Sequence, residues 1–162
     1  MTTALTRYRR RPVQEASLKL IAFPLRHNWF CLPLAMARRV IPPGTGNQPM
    51  GLTQFNHDNV PIMDVADRVY QAAPLLPSQG EPVLKVSDRP QQPILIVDSA
   101  RFGLLGLLID DIPSLKRARQ SAFSPIPTTY LMMNNLQGIS TLVTLNETEP
   151  PLFLLEVDAL LP

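Results

Sequence analysis

A single cysteine, Cys31, in a chain of 162 residues excludes an internal disulfide and fits a reducing compartment. Glycine is scarce, with seven residues against eighteen prolines, and prolines break helix interiors, so the chain favours strands that end in turns. Charged residues make up 17% of the chain, below the roughly one quarter usual in soluble domains, while Leu, Ile and Val suffice for a core. No apolar run reaches the roughly 18 uncharged residues that a membrane helix needs. The opening RYRRRP leads into VQEASLK, without the apolar core and cleavage site of a secretory leader. The reading is a cytoplasmic protein of one compact domain, or of two small units packed closely together.

Catalytic chemistry is equally sparse. His27 and His57 stand 30 residues apart, and neither pairs with a cysteine or carboxylate at a metal-binding interval, so no metal is expected. Cys31 lies within Trp29-Phe30-Cys31-Leu32, where burial raises a thiol pKa and makes a poor nucleophile. Gly44-Thr45-Gly46 lacks the lysine and hydroxyl that complete a phosphate loop, and no GxSxG elbow occurs. Asp110 and Asp111 are adjacent, so on a strand they point to opposite faces and share no proton; the simpler role is a strand end with one aspartate bonded to a turn. Neither enzyme activity nor a cofactor is expected.

The net charge of +2 is unevenly placed. Arg7, Arg9, Arg10 and Arg11 outweigh it, leaving the remainder slightly acidic. Residues 1–17 read as a basic, disordered tail and 18–162 as the folded body. The tail's electrostatics also admit a nucleic-acid-binding module, although Tyr8 is the only aromatic interleaved with the arginines.

Within the body, alternation along 18–25 places Leu18, Leu20, Ala22 and Pro24 on one face and Ile21, Phe23 and Leu25 on the other, so both faces are covered at the later end. Arg26-His27-Asn28 reads as a turn into a returning strand at 29–32, giving a hairpin. Residues 42–49 are a loop. The stretch GLTQFNHDNVPIMDV at 51–65 is a polar turn followed by a strand that ends in a helix-capping aspartate, Asp64, with a short helix over 65–71. Gly51 suits a positive φ or a crowded backbone position. Residues 72–93 form a Pro-rich connector, with 83–86 its one short strand candidate. A second hairpin follows at 94–97 and 102–109. A loop holding Pro125 and Pro127 then leads to 128–133, a turn at Asn134-Asn135, a strand near 140–145, and a last strand that continues into a short helical stretch. Many short strands between turn signals give a barrel or sandwich.

Four blocks in this order resemble the CheW-like chemotaxis adaptors: 18–40, with its hairpin and Leu32-Pro33-Leu34 approach; 51–65, ending in Pro61-Ile62-Met63-Asp64; FGLLGLLIDDI at 102–112, with Gly106 and Asp110; and LFLLEVDALL at 152–161. The resemblance implies a mainly β fold of two small five-stranded SH3-like barrels packed side by side, with short helices. It also implies a non-catalytic scaffold that couples the signalling tip of a methyl-accepting receptor to the regulatory domain of a chemotaxis-type histidine kinase in a two-component system. On that pattern Gln54, Phe55, Asn56 and His57 face the kinase. Ala37, Val40 and Gly51 line a groove for the helical receptor tip, and Pro61, Asp64, Gly106 and Asp110 are structural. Where the family carries an arginine and then a glycine in the turn before the Pro-x-x-Asp run, this chain has Asn56 and His57; Arg38-Arg39 stands where the family usually has a glutamate. These departures bear on partner choice, and a pilus-motility array or a decoy subunit falls within the same class.

Overall fold

The computed structural model describes residues 16–44, 51–70 and 91–161. The basic segment 1–15, residues 45–50, which include most of the loop expected at 42–49, and residues 71–90, which include most of the expected connector and its strand candidate at 83–86, lie outside the described residues.

The first expected hairpin is β1 (Ser17–Leu25) and β2 (Asn28–Pro33), joined by the two-residue turn Arg26-His27. Its alternation explains the architecture. Ile21, Phe23 and Leu25 pack with Phe30 and Leu32 into the larger core, while Leu20 and Ala22 turn the other way and meet Cys31 in a second core. Strands buried on both faces are central, and the strand order β8-β1-β2-β11-β10-β9 places them so. This sheet also holds β8 (Ser114–Arg119), β9 (Phe123–Pro125), β10 (Ile139–Val143) and β11 (Leu152–Leu155). Only the 3-10 turn Gln120–Ala122 separates β8 from β9. Since β8 pairs with β1 and β9 with β10, this kinked run closes the sheet on itself. Counted as one strand, it makes a five-stranded barrel, closed through β9 and, among the described residues, without a strand on the second side of β8.

The other sheet has the order β3-β6-β7-β5-β4, with β3 (Ala37–Ile41), β4 (Leu52–Phe55), β5 (Asp58–Asp64), β6 (Ile94–Ser99) and β7 (Gly103–Leu108). Its apolar residues Met63, Leu95, Val97, Leu105 and Leu107 enter the same larger core as Phe23 and Phe30, so the two halves share one interior. At about 1.5–3 kcal/mol for each fully buried large apolar side chain, this shared interior is a major stabilising term. Mainly β, with two barrel-like halves and few short helices, the fold is the one that the resemblance to the CheW-like adaptors implied.

The halves of the chain and the halves of the fold do not coincide. Hairpin β1–β2 comes from before the 71–90 segment, yet its sheet partners β8 to β11 come from after it. Conversely, β6–β7 joins β3, β4 and β5. In each half the incoming hairpin is held by one parallel pairing, β2 with β11 and β7 with β5. Each barrel therefore draws strands from both sides of the connector.

Two α-helices lie among the described residues. In α1 (Val65–Val69) Asp64 accepts from the backbone N–H of Asp67, so it caps the helix as expected, and Val65 and Val69 are fully buried. The helix ends at Val69, two residues before the expected end, with Tyr70 at its C-cap. α2 (Thr128–Met133) is a six-residue helix without a buried residue. The strands β8 and β9 had no counterpart in the sequence reading. Pro125, expected in a loop, ends the edge strand β9, where its missing N–H costs no ladder bond.

Candidate interaction surfaces

Strands β4 and β5 form a hairpin at the border of the five-stranded sheet, pairing Leu52 with Pro61, Thr53 with Val60, Gln54 with Asn59 and Phe55 with Asp58. The loop is Asn56-His57, with φ of 48° and 70°. Two central residues in the left-handed region match a type I′ turn, whose twist suits the flanking strands. Asparagine enters that region readily; His57 carries a Cβ there that a glycine would lack. The turn thus keeps a tight hairpin shape without the Arg-Gly pair of the resembled family.

The expectation that 54–57 form one solvent-facing turn needs correction. Only Asn56 and His57 are in the turn; Gln54 and Phe55 belong to β4. Thr53 and Val60 are buried, and Phe55 shares their face as the next residue but one, so it is half-buried at the hairpin tip. The outward face carries Leu52, Gln54, Asn59 and Pro61, all exposed. A partner meeting this hairpin finds Gln54 and the turn first and reaches Phe55 at the rim.

The three groove candidates fall at the two ends of the strand order. Ala37 and Val40 are on β3, opposite Val97 and Leu95, half-buried and packed against the larger core. Gly51 precedes β4 at the other end of the order, with φ of 75°, and its carbonyl accepts from the Ile62 N–H at 2.7 Å. Open space surrounds the position where its Cβ would stand, so backbone conformation rather than crowding calls for glycine there. On β3, Arg38 donates to the Ala35 carbonyl at 2.7 Å and bridges to Asp98 at 3.3 Å.

Pro61 is exposed on β5, and Asp64 is the cap already described. Gly106 lies on β7 between β5 and β6, where a Cβ would come within 3.0 Å of Ile94 Cγ2. Asp110 and Asp111 sit in a bend beyond the end of β7, rather than on a strand, and both are exposed. Asp110 accepts from the Arg26 backbone N–H and from Gln92 Nε2 at 2.9 Å, so it ties a turn as the simpler reading held.

Sequence reasoning missed a junction between the halves. Tyr70 donates its hydroxyl to the Leu25 carbonyl at 2.7 Å and accepts from Asn28 Nδ2 at 3.1 Å. Arg26 covers the Tyr70 ring at 4.9 Å from its centroid and bridges to Asp67 at 3.1 Å. Burial raises the Tyr70 pKa above its usual 10, against the opposing pull of the Asn28 hydrogen bond and the Arg26 charge. These residues fasten α1 to the β1–β2 turn. Their separation in sequence left no local signal.

Among the described residues no group of three or more His, Cys, Asp or Glu gathers at a metal-binding distance. Cys31 is fully buried, and desolvation pushes its thiol pKa up to about 12. A small cleft lined by Trp29, Ser114, Lys116, Glu149, Pro150 and Leu152 opens beside the second core, with the Lys116–Glu149 ion pair at 3.3 Å on its wall.

No family model and no curated protein matches the chain in sequence. In structure it is similar to the scaffolding protein TtCheW from Thermoanaerobacter tengcongensis, with a TM-score of 0.60 over 86% of this chain and 89% of that one, at 13% identity. At that identity the likeness establishes the CheW-like fold. No helix among the described residues is long and apolar enough to cross a membrane.

Proposed function

We propose that this chain is a non-catalytic, cytoplasmic scaffold that couples a methyl-accepting receptor's signalling tip to the regulatory domain of a chemotaxis-type histidine kinase. The observation that carries this reading is the correspondence of nearly the whole chain to a scaffolding protein of the same double-barrel fold. The four ordered sequence blocks support it independently. The nucleic-acid alternative has only the basic segment before residue 16 behind it.

The kinase contact is assigned to the β4–β5 hairpin, through Gln54, Asn56 and His57 with Phe55 at the rim. A sheet border offers backbone groups and alternate side chains to a similar domain. With Asn56-His57 in place of Arg-Gly, the contact has no bidentate guanidinium and relies on shape and apolar area, which favours a kinase lacking a matching carboxylate. The receptor tip is assigned to the β3 surface at Ala37 and Val40, whose apolar side chains receive a helix, with Gly51 at the other end of the strand order serving the backbone of the β4–β5 hairpin.

Phe55→Asp tests the assignment. Phe55 is half-buried and outside both cores, so the fold survives. A pull-down with the kinase regulatory domain weakens severalfold, because the substitution sets a charge into the apolar rim of the contact. Unchanged kinase binding by a folded Phe55→Asp protein refutes the hairpin as the contact.

A further inference from the structure

We propose that the β1–β8 face binds an acidic, extended segment of a partner protein that adds to the free edge of β8. The ladder sets Ser17 opposite Arg119, Lys19 opposite Arg117 and Ile21 opposite Leu115, and residues directly opposite share a face. That face therefore carries Lys19, Arg117 and Arg119 together, all exposed, and none of its six register positions holds a carboxylate. Lys19 against Arg117 is a like-charge pair directly across the ladder, an arrangement that destabilises a sheet. Lys116, on the other face of β8, and Arg26, just after β1, are instead bridged to Glu149 and Asp67. Leu115 lies on the same face and is 68% exposed; Ile112, just before the strand, is 53% exposed.

The backbone adds a second feature. β8 pairs with β1 alone, and the kink at Gln120–Ala122 gives the neighbouring pairing with β10 to β9 instead, so among the described residues the second edge of β8 has no strand on it. A strand laid there would point alternate side chains toward Arg119, Arg117 and Leu115. Two acidic residues and then an apolar one complement that row. A cationic edge also guards against aggregation, but that role needs neither the opposed Lys19–Arg117 pair nor an exposed leucine beside it. Nucleic acid is less suited, because no aromatic side chain lies among these positions for a base to stack on. The proposal is independent of the scaffold reading, since it concerns the other barrel from the β4–β5 hairpin.

The probe is an acetylated decapeptide in which two glutamates and a valine occupy successive alternate positions between threonines, compared with its glutamine counterpart and with an oligothymidine. Binding is followed by calorimetry at low and high salt, and located by amide exchange on the full chain. The expected result is binding of the acidic peptide that weakens with salt, a loss of about tenfold or more for the glutamine counterpart and for R117E/R119E, and protection of amides within 114–119. Lys19→Glu separates binding from folding: it creates a cross-strand pair with Arg117, so its melting temperature rises while affinity falls. Equal affinity for both peptides, no binding of the acidic one, protection elsewhere, unchanged binding by Lys19→Glu, or tighter binding of the oligothymidine each overturns the proposal. The kinase pull-down of the Phe55→Asp protein reads a different surface, so the two tests fail separately.

Discussion

Removing one oxygen atom tests how the two barrels are joined. Tyr70→Phe leaves the ring in place, edge-on to Phe30 with centroids 6.1 Å apart and under Arg26, but deletes the hydroxyl that donates to Leu25 and accepts from Asn28. Each half-buried hydrogen bond contributes about 0.5–1.5 kcal/mol net, and the Leu25 carbonyl loses this donor, so the expected destabilisation is about 1–2 kcal/mol. For a chain of this size that lowers Tm by roughly 2–8 °C. Urea unfolding should show a lower midpoint with an unchanged slope, because the same surface is exposed. The ionisation of Tyr70 gives a second signature. Its folded-state pKa lies above the unfolded value of about 10, so the native state holds the proton longer; the associated stability is complete below pH 10 and is lost as pH rises through the folded pKa. The stability difference between the wild type and Tyr70→Phe should therefore shrink above pH 10. A loss below about 0.3 kcal/mol at neutral pH, or a difference that stays constant through alkaline pH, refutes the junction as described.

His57→Gly relieves a side chain held at φ 70° in the hairpin turn and should raise stability by about 0.5–1 kcal/mol in urea titration; a decrease would show that the His57 side chain makes a stabilising contact. Cys31, with its thiol pKa near 12 and no solvent exposure, should resist alkylation by iodoacetamide at pH 8 until denaturant is added, and rapid labelling of the native protein would contradict the buried second core.

The parts of the fold that were legible in sequence are those specified locally. Alternation along β1 announced two covered faces because Ile21, Phe23 and Leu25 enter one core while Leu20 and Ala22 enter the other. Asp64 announced its helix because a cap is a short-range hydrogen bond. By contrast, β8 reads SLKRAR, and its charges hide a strand because one of its faces meets solvent rather than a core. The short helix α2 reads TTYLMM, and its threonines and tyrosine favour strands; nothing in so short a run overrides that preference. The exchange of hairpins between barrels rests on β2–β11 and β5–β7, parallel pairings between distant segments that leave no local periodicity. At the candidate kinase contact, the turn was legible and the direction of Phe55 was not, since that depends on the register of β4 against β5.

A scaffold must hold two partners at once without converting either. Sedimentation of a three-component mixture tests this most directly: the full chain, a receptor signalling-tip fragment and the kinase regulatory domain. The account predicts that the two partners co-sediment only when this chain is added, in one species containing all three. Partners that displace one another from the chain, or that both fail to bind it, would contradict it.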